Sequence, residues 1–495
     1  MSNSQKEKGG NQRSFLKGIA RQAMREHGLM PDFSPEVFKE LANIAGSTTL
    51  ADRPDKDLRQ LLWCSIDNDD SLDLDQLTVA EKLSDGTTKI YVAVADVESL
   101  VKKGSAIDDH ARQNTTSIYT DGEIFPMLPQ QLSNDLTSLN YEKDRSAIIA
   151  EMTVDLEGRI KSSDIYVALV RNHAKLAYDS VASWLEGKGP MPETVAKVKD
   201  LDTNIKLQDQ VAQLLRKNRY EVGALDFETI QARSVFDDDM IKYLVEDRKN
   251  RAKELIEDFM IAANGATVQY LKAKGLPSFR RVVRSPQRWE RIVAVVSSKY
   301  NYKLPEDPNA KSLALFLYKQ KKADPVGFPD LSLTIIKLIG KGEYIVEFPG
   351  EKAIGHFGLA VRDYTHSTAP NRRYPDLITQ RILKAALKGT SAPYKPEELT
   401  ALASLCTEKE DDATKVERRV AKSAAALLLS SRIGQTFDAI CTGAADKGTW
   451  VRIFNPPVEG KLIHGAKGID VGNRLRVKLI HTDAKNGYID FGQVN

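Results

Sequence analysis

Cys64-Ser-Ile-Asp67-Asn-Asp69-Asp70-Ser-Leu-Asp73-Leu-Asp75-Gln76-Leu77 sets five aspartates within nine positions, between the apolar run Leu61-Leu62-Trp63 and Leu77 with Val79. Carboxylates this dense repel one another, so a folded chain keeps them solvated, uses them to cap backbone donors, or gives them cations. The donors are hard oxygens with no His or Cys set nearby, which favours magnesium, manganese or calcium over zinc. A helix-loop-helix calcium site counted from Asp67 would need Gly at its sixth position and Glu at its twelfth; Leu72 and Thr78 stand there. Asp73 and Asp75 have the spacing of an aspartyl-phosphate phosphatase pair, but an acidic turn precedes them where that chemistry needs an apolar strand. A two-metal nuclease site and a solvated acidic turn both remain open on this segment alone.

The rest of the chain narrows the choice. Its 495 residues suffice for two to four domains, and an apolar fraction of 41% fits a soluble globular protein. No apolar run approaches a membrane span, and the first residues lack the apolar core of a secretory signal. Cys64, Cys406 and Cys441 lie far apart and fit no metal spacing, so a reducing, cytoplasmic-type compartment is expected. With a net charge of +3, any polyanion must be met by local patches.

Upstream of the acidic loop, residues 1–12 are polar and expected to be disordered, and a helical pattern runs from Ser14 to about Ile44 with a break at His27-Gly28. Pro35 after Ser34 marks a second helix start. Lys17, Arg21 and Arg25 recur every fourth residue, which reads as a solvated basic face or, less simply, as an RNA contact. Downstream, Lys89 to Val97 reads as a buried strand, and 147–155 with 163–170 as a strand pair turning at Glu157-Gly158. A helix spans Lys249 to Lys274. Its apolar face is interrupted by Glu254, Glu257 and Asp258.

Tyr364-Thr-His366-Ser-Thr-Ala-Pro370-Asn-Arg372-Arg373-Tyr374-Pro375-Asp376-Leu377 is the second unusual stretch, an Arg pair bracketed by prolines. A guanidinium in a rigid turn suits a phosphate oxygen, being planar and always charged; a surface ion pair is the plainer reading. A long polar helix from Pro396 to Ser431 follows, with Glu417 near its middle. Five short strands then begin near Ile433, Gly448, Val458, Arg474 and Gly487, which suggests a small OB barrel. Trp450, Phe454, Arg452, Lys461 and His464 would supply it with stacking and basic groups for single-stranded RNA, although some of these must be core.

Taken together, these blocks resemble the ribonuclease II / ribonuclease R family, whose catalytic unit is the RNB domain. The likeness runs from about Arg59 to the C-terminus. It includes Ser65 to Leu77, Thr116-Ser-Ile-Tyr119, Phe125 to Asn134, Gly223-Ala-Leu-Asp-Phe227, Ile256 to Met260, Gly355 to Leu359 and, most specifically, Tyr364 to Leu377. The resemblance implies an α/β (α+β) RNB catalytic domain over 55–432, a C-terminal all-β OB-fold barrel over 433–495, and a small helical, helix-turn-helix-like element within 1–54. It implies a magnesium-dependent, processive 3′→5′ exoribonuclease that hydrolyses single-stranded RNA to nucleoside 5′-monophosphates, with manganese as a substitute ion. By the same resemblance Asp67, Asp73 and Asp75 are metal-binding and catalytic, and Arg372 contacts the scissile phosphate. Tyr119 stacks near the 3′ end and helps set the length of the last product, Phe227 clamps the other side of the stack, and Glu257 or Asp258 and Glu417 meet the terminal nucleotides.

Departures from the family pattern qualify this. Gln76 stands where the metal loop has a further Asp; its amide oxygen can still ligate a cation, and Asp69 or Asp70 are candidates to restore the missing charge. Ala369 and Asn371 replace the usual Ser and Ile. About fifty residues precede the RNB unit, which leaves no room for paired cold-shock barrels. An RNA-binding protein with impaired catalysis on the same scaffold is the alternative. A monomer is expected.

Overall fold

The computed structural model describes residues 11–46, 54, 56–228, 231–325, 327–445 and 447–494. The polar tail expected at 1–12 falls outside these as far as residue 10. Helix α1 (Gln12–Glu26) begins where the Asn11 side chain accepts the Ser14 N–H and ends at His27, ahead of Gly28 at φ +63°. A positive φ is open to glycine without a Cβ clash, so the predicted break is a glycine-terminated helix end. Pro35 opens α2 (Pro35–Gly46), where its missing N–H has no partner to lose.

The chain then lays down β1 (Lys56–Asp57), β2 (Cys64–Asp67), β3 (Gln76–Lys82) and β4 (Thr88–Ala95). After α3 (Ala106–Asn114) come a minimal hairpin, β5 (Ile118–Tyr119) and β6 (Ile124–Phe125), the long hairpin β7 (Asp144–Val154) and β8 (Ile160–Arg171), and β9 (Ala174–Ala177). All but β5 and β6 form one mixed sheet in the order β1-β8-β7-β4-β3-β2-β9, with β1–β8 and β2–β9 parallel. Every residue of β4 from Ile90 to Ala95 is buried, so this central strand is covered on both faces, which its unbroken apolar run requires.

Helices α4 (Tyr178–Leu185), α5 (Glu193–Ala196) and α6 (Leu201–Val222), the hairpin β10 (Gln231–Asp237) and β11 (Met240–Asp247), and α7 (Arg251–Ala273) follow. Ala252, Leu255, Phe259, Ala263 and Ala266 of α7 join the sheet's core, as the helical spacing predicts. Next come β12 (Ser278–Val282), α8 (Trp289–Tyr300), α9 (Ala310–Ala323), α10 (Phe328–Ile339) and β13 (Glu343–Glu347); β12 and β13 pair and give Phe279 and Tyr344 to the sheet's core, while the three helices have a core of their own around Phe316 and Phe328. Then come α11 (Tyr374–Leu387) and the 34-residue α12 (Pro396–Leu429).

The last strands, β14 (Thr436–Ala445), β15 (Gly448–Ile453), β16 (Glu459–His464), β17 (Arg474–Asp483) and β18 (Tyr488–Val494), close a barrel in the order β14-β15-β16-β18-β17. The fold is therefore an α/β unit followed by an all-β barrel. Helix α12 joins them: its middle packs on α1 through Val416 and Val420, and its end reaches the barrel core through Ala425, Ala426 and Leu429. Among the described residues no helix is long and apolar enough to cross a membrane, and the three cysteines are buried and free.

Candidate nuclease site

One cavity of about 430 Å³ gathers residues from five separate parts of the chain. Asp67, Asp73, Asp75 and Gln76 line it together with Tyr119, Tyr178, Arg372 and Arg373. The acidic loop is short because β2 and β3 are antiparallel neighbours in the sheet, and hydrogen bonds hold it. Leu74 N–H donates to Ser138 Oγ at 2.9 Å, Ser138 Oγ donates to Leu72 O at 2.9 Å, and Leu139 N–H donates to Leu74 O at 2.9 Å. With Leu74 buried beneath it, the alternation of the loop delivers Asp73 and Asp75 to the cavity.

Arg372 is held by a neighbouring backbone. Its carbonyl accepts the Ser117 N–H at 2.9 Å, and the next residue pairs with Thr116. The Asp376 carboxylate accepts the Ala369 N–H at 2.9 Å and an Arg373 N–H at 2.8 Å, closing the turn before α11. Prolines 370 and 375 bracket this turn and restrict its backbone. The Arg372 side chain stays 42% exposed beside Asp75, with Nε 3.5 Å from Oδ2. The guanidinium stands half-exposed at the cavity wall and is ion-paired with the buried Asp75 rather than with a surface carboxylate.

The carboxylates differ in their support. Asp75 is buried; one oxygen accepts the Asn371 N–H at 3.0 Å, while Oδ2 has no hydrogen bond. Burial pushes its pKa up to about 8, against the pull of Arg372. Burial likewise pushes Asp67 up to about 7, again opposed by Arg372. Asp73 accepts the Tyr119 phenol at 3.3 Å. Gln76 donates its amide N–H to Thr368 O at 2.6 Å, tying the start of β3 to the arginine turn. Among the described residues no three His, Cys, Asp or Glu side chains stand close enough to hold an ion by themselves. Even so, an orphaned buried carboxylate oxygen among hard donors, with two carboxylates that burial makes costly to ionise, fits a divalent cation.

Other expected residues stand elsewhere. Asp258 is fully buried on α7 and is gripped by Arg216 at 2.7 Å and by Arg219, both on α6, so it has no surface for RNA. Glu257 pairs with Lys249 and does not line the cavity. Phe227 is half-buried against the α8–α10 core, away from the cavity wall that carries Tyr119. Glu417 accepts the Tyr119 main-chain N–H at 3.0 Å. In the barrel, Lys461 is exposed, Trp450 is half-buried opposite it, and Arg452 is buried in an ion pair with Asp330 of α10. Arg452 therefore fastens the barrel to the catalytic unit and cannot serve as a solvent-facing RNA contact. Asp69 and Asp70 are exposed and outside the cavity lining, so they do not supply the charge that Gln76 lacks.

Sequence reasoning missed Tyr178 and Asn264 on the cavity wall, and gave Tyr364, at the head of the arginine stretch, no role of its own there. The Asn264 carbonyl oxygen accepts both the N–H and the hydroxyl of Ser367 at 2.8 Å. An Asn among Ala262, Ala263 and Ala266 on a core-facing helix was the available signal, since a buried amide must find partners.

A family model for the RNB domain matches residues 55–389, and one for the RNase II-type exonuclease C-terminal S1 domain matches 435–494. The chain is 30% identical to ribonuclease R of Thermotoga maritima, over 93% of its own length and 68% of that protein's. With ribonuclease R of Escherichia coli it shares 31% identity over 82% of this chain, which spans about half (51%) of the Escherichia protein. Among solved structures, Mycoplasma genitalium RNase R in complex with ribose-methylated single-stranded RNA superposes with a TM-score of 0.85 at 25% identity, covering 98% of this chain and 78% of that one. The chain belongs to the RNB-domain 3′→5′ exoribonucleases of the ribonuclease II / ribonuclease R family.

Proposed function

We propose that this chain degrades single-stranded RNA processively from its 3′ end, hydrolysing it with magnesium to nucleoside 5′-monophosphates in a cytoplasmic-type compartment, as a monomer. The observation that carries this reading is the meeting of Asp67, Asp73, Asp75, Tyr119 and Arg372 on one cavity. Asp67, Asp73 and Asp75, with the Gln76 amide oxygen, would hold magnesium or manganese. Divalent ions bound there supply an activated water and charge neutralisation at the leaving oxygen.

The chain's own groups account for the rest. Arg372, exposed and fixed by its backbone, meets the non-bridging oxygens of the scissile phosphate and balances the charge that grows on them. Water adds to phosphorus, the P–O3′ bond breaks, the shortened RNA keeps a 3′-hydroxyl, and the terminal nucleotide departs with the phosphate on its 5′-oxygen. Tyr119, anchored by Glu417 and Asp73, offers an aromatic face that stacks on a base without reading it. Lys461 and the exposed edge of Trp450 would grip upstream RNA. A preference for RNA over DNA would rest on the 2′-hydroxyl.

The impaired-scaffold alternative draws no support from the site: the three aspartates, the arginine and Gln76 all line the cavity. Chromatography of the products from 3′-end-labelled RNA tests the proposal. The first labelled species should be a nucleoside 5′-monophosphate, absent with Asp75→Asn. A labelled oligonucleotide or a labelled nucleoside without phosphate would sink it.

A further inference from the structure

Two of the three basic residues in the stripe of α1, Lys17 and Arg21, converge on one carboxylate. Lys17 lies 3.0 Å from Glu123, and Arg21 meets the same carboxylate through two bonds of 3.0 and 3.2 Å. Arg21 is also paired with Asp32, beyond the turn that follows α1. Glu123 belongs to the turn between β5 and β6, and β5 ends at Tyr119. This hairpin has only two residue pairs, Ile118 with Phe125 and Tyr119 with Ile124. So short a hairpin has little stability of its own, and its place must come from what it packs on.

Helix α1 supplies much of that support. The buried Ile118 and Phe125 share one apolar cluster with Leu16, Ile19, Ala20 and Ala23 of α1 and with Val416 and Val420 of α12. At the hairpin turn Gly122 lies flush against the α1 backbone: a Cβ there would stand 2.6 Å from the Leu16 carbonyl carbon and from the Lys17 nitrogen. Arg419 of α12 pairs with Glu26, holding α1 to the same helix that carries Glu417. Individual ion pairs of this exposure are weak. Here a shared carboxylate, a backbone contact without room for a methyl group and a common apolar core act on one turn of chain.

We infer that α1 is a positioning element for the cavity: its Lys17–Arg21 clamp on Glu123 and its backbone contact at Gly122 fix the hairpin that presents Tyr119. Arg21 acts through Glu123 and the hairpin and touches no substrate. The inference rests on the RNA-degrading reading for its product readout, while its structural readout is independent of that reading.

The test uses the full chain with Arg21→Ala, Arg21→Lys and Gly122→Ala, and Tyr119→Ala as reference. Amide hydrogen exchange of the segment 118–125 is followed without RNA, and the limit product of a 5′-labelled single-stranded RNA is followed with magnesium. Arg21→Ala should raise exchange in that segment about tenfold, with other core segments unchanged. Its limit product should lengthen and broaden toward that of Tyr119→Ala, with a rate about tenfold lower, because a small displacement of a positioning group has large kinetic consequences. Arg21→Lys should restore both readouts in large part. Gly122→Ala, which keeps every charge, should reproduce the Arg21→Ala pattern. Unchanged exchange in 118–125 would overturn the clamp. Faster exchange, or a slower rate, with the wild-type limit product would overturn the positioning role. If wild type cleaves no RNA, the functional reading fails, and the exchange data alone decide the clamp.

Discussion

Two buried carboxylates in this molecule have opposite fates. Asp258 on α7 has a fully buried side chain, and Arg216 and Arg219 from α6 close on both of its oxygens. Asp75, with a side chain 2% exposed, has one main-chain N–H, an arginine 3.5 Å away and one oxygen with no hydrogen bond. Both acids suffer the same loss of hydration, which raises the pKa of each. The protein answers the first with its own cations and leaves the second short of them. The difference separates a group that joins two helices from a group left under-partnered on a cavity wall.

Mutation should break the two sites in opposite ways. Asp75→Asn removes an under-supported charge, so turnover should fall by on the order of 10³-fold or more while metal-free thermal stability holds or rises slightly. Steady-state degradation beside a thermal melt in chelator reads both. Asp258→Ala strands Arg219 and leaves Arg216 with Glu254 alone; it should cost about 3–5 kcal/mol, seen as a Tm several degrees lower, with activity per folded molecule near wild type. A loss of rate at unchanged Tm would show that Asp258 serves the chemistry after all.

A smaller effect sharpens the contrast from the side of the cation. Magnesium or manganese at about a hundred times its Kd should stabilise wild type by about 2.7 kcal/mol, through binding to the folded state alone. The shift should largely vanish in Asp75→Asn and persist in Asp258→Ala, and melts across a metal titration measure it.

The smallest expected effect concerns a third kind of buried titratable group. His110 packs on Phe33 with its Nδ1 unpartnered, and burial lowers its pKa to about 4. Its neutral form is the one the fold accepts. Its contribution is therefore complete above about pH 6.5, where the unfolded imidazole is also neutral, and is lost as pH falls toward 4. His110→Gln should flatten the stability–pH curve in that window, measured by denaturant melts at fixed pH values.

What the sequence made legible followed from residue type and short spacing. The aspartate loop and the arginine turn declare themselves because their chemistry is local, and the helix starts at Pro35 and Pro396 follow from proline's missing N–H. The five barrel strands were readable, but the parallel pairing of β16 with β18 that closes them was not. Partners distant in sequence decided what was lost. Nothing near Asp258 announces Arg216 and Arg219, nothing in Trp450 to Phe454 announces that Arg452 meets Asp330, and the face of α1 carrying Lys17 and Arg21 is settled by Glu123, about a hundred residues on. Gln76 was visible as a departure. Its bond to Thr368, which ties the two halves of the site together, depends on tertiary structure alone.

The most direct test follows a 5′-labelled, unstructured RNA of about thirty nucleotides with magnesium, comparing wild type with Asp75→Asn. Wild type should shorten it to a small limit product while the variant binds it and leaves it whole. Intact RNA bound by wild type in both magnesium and manganese would contradict the account, and would mark the cavity as a binding site whose chemistry Gln76 has removed.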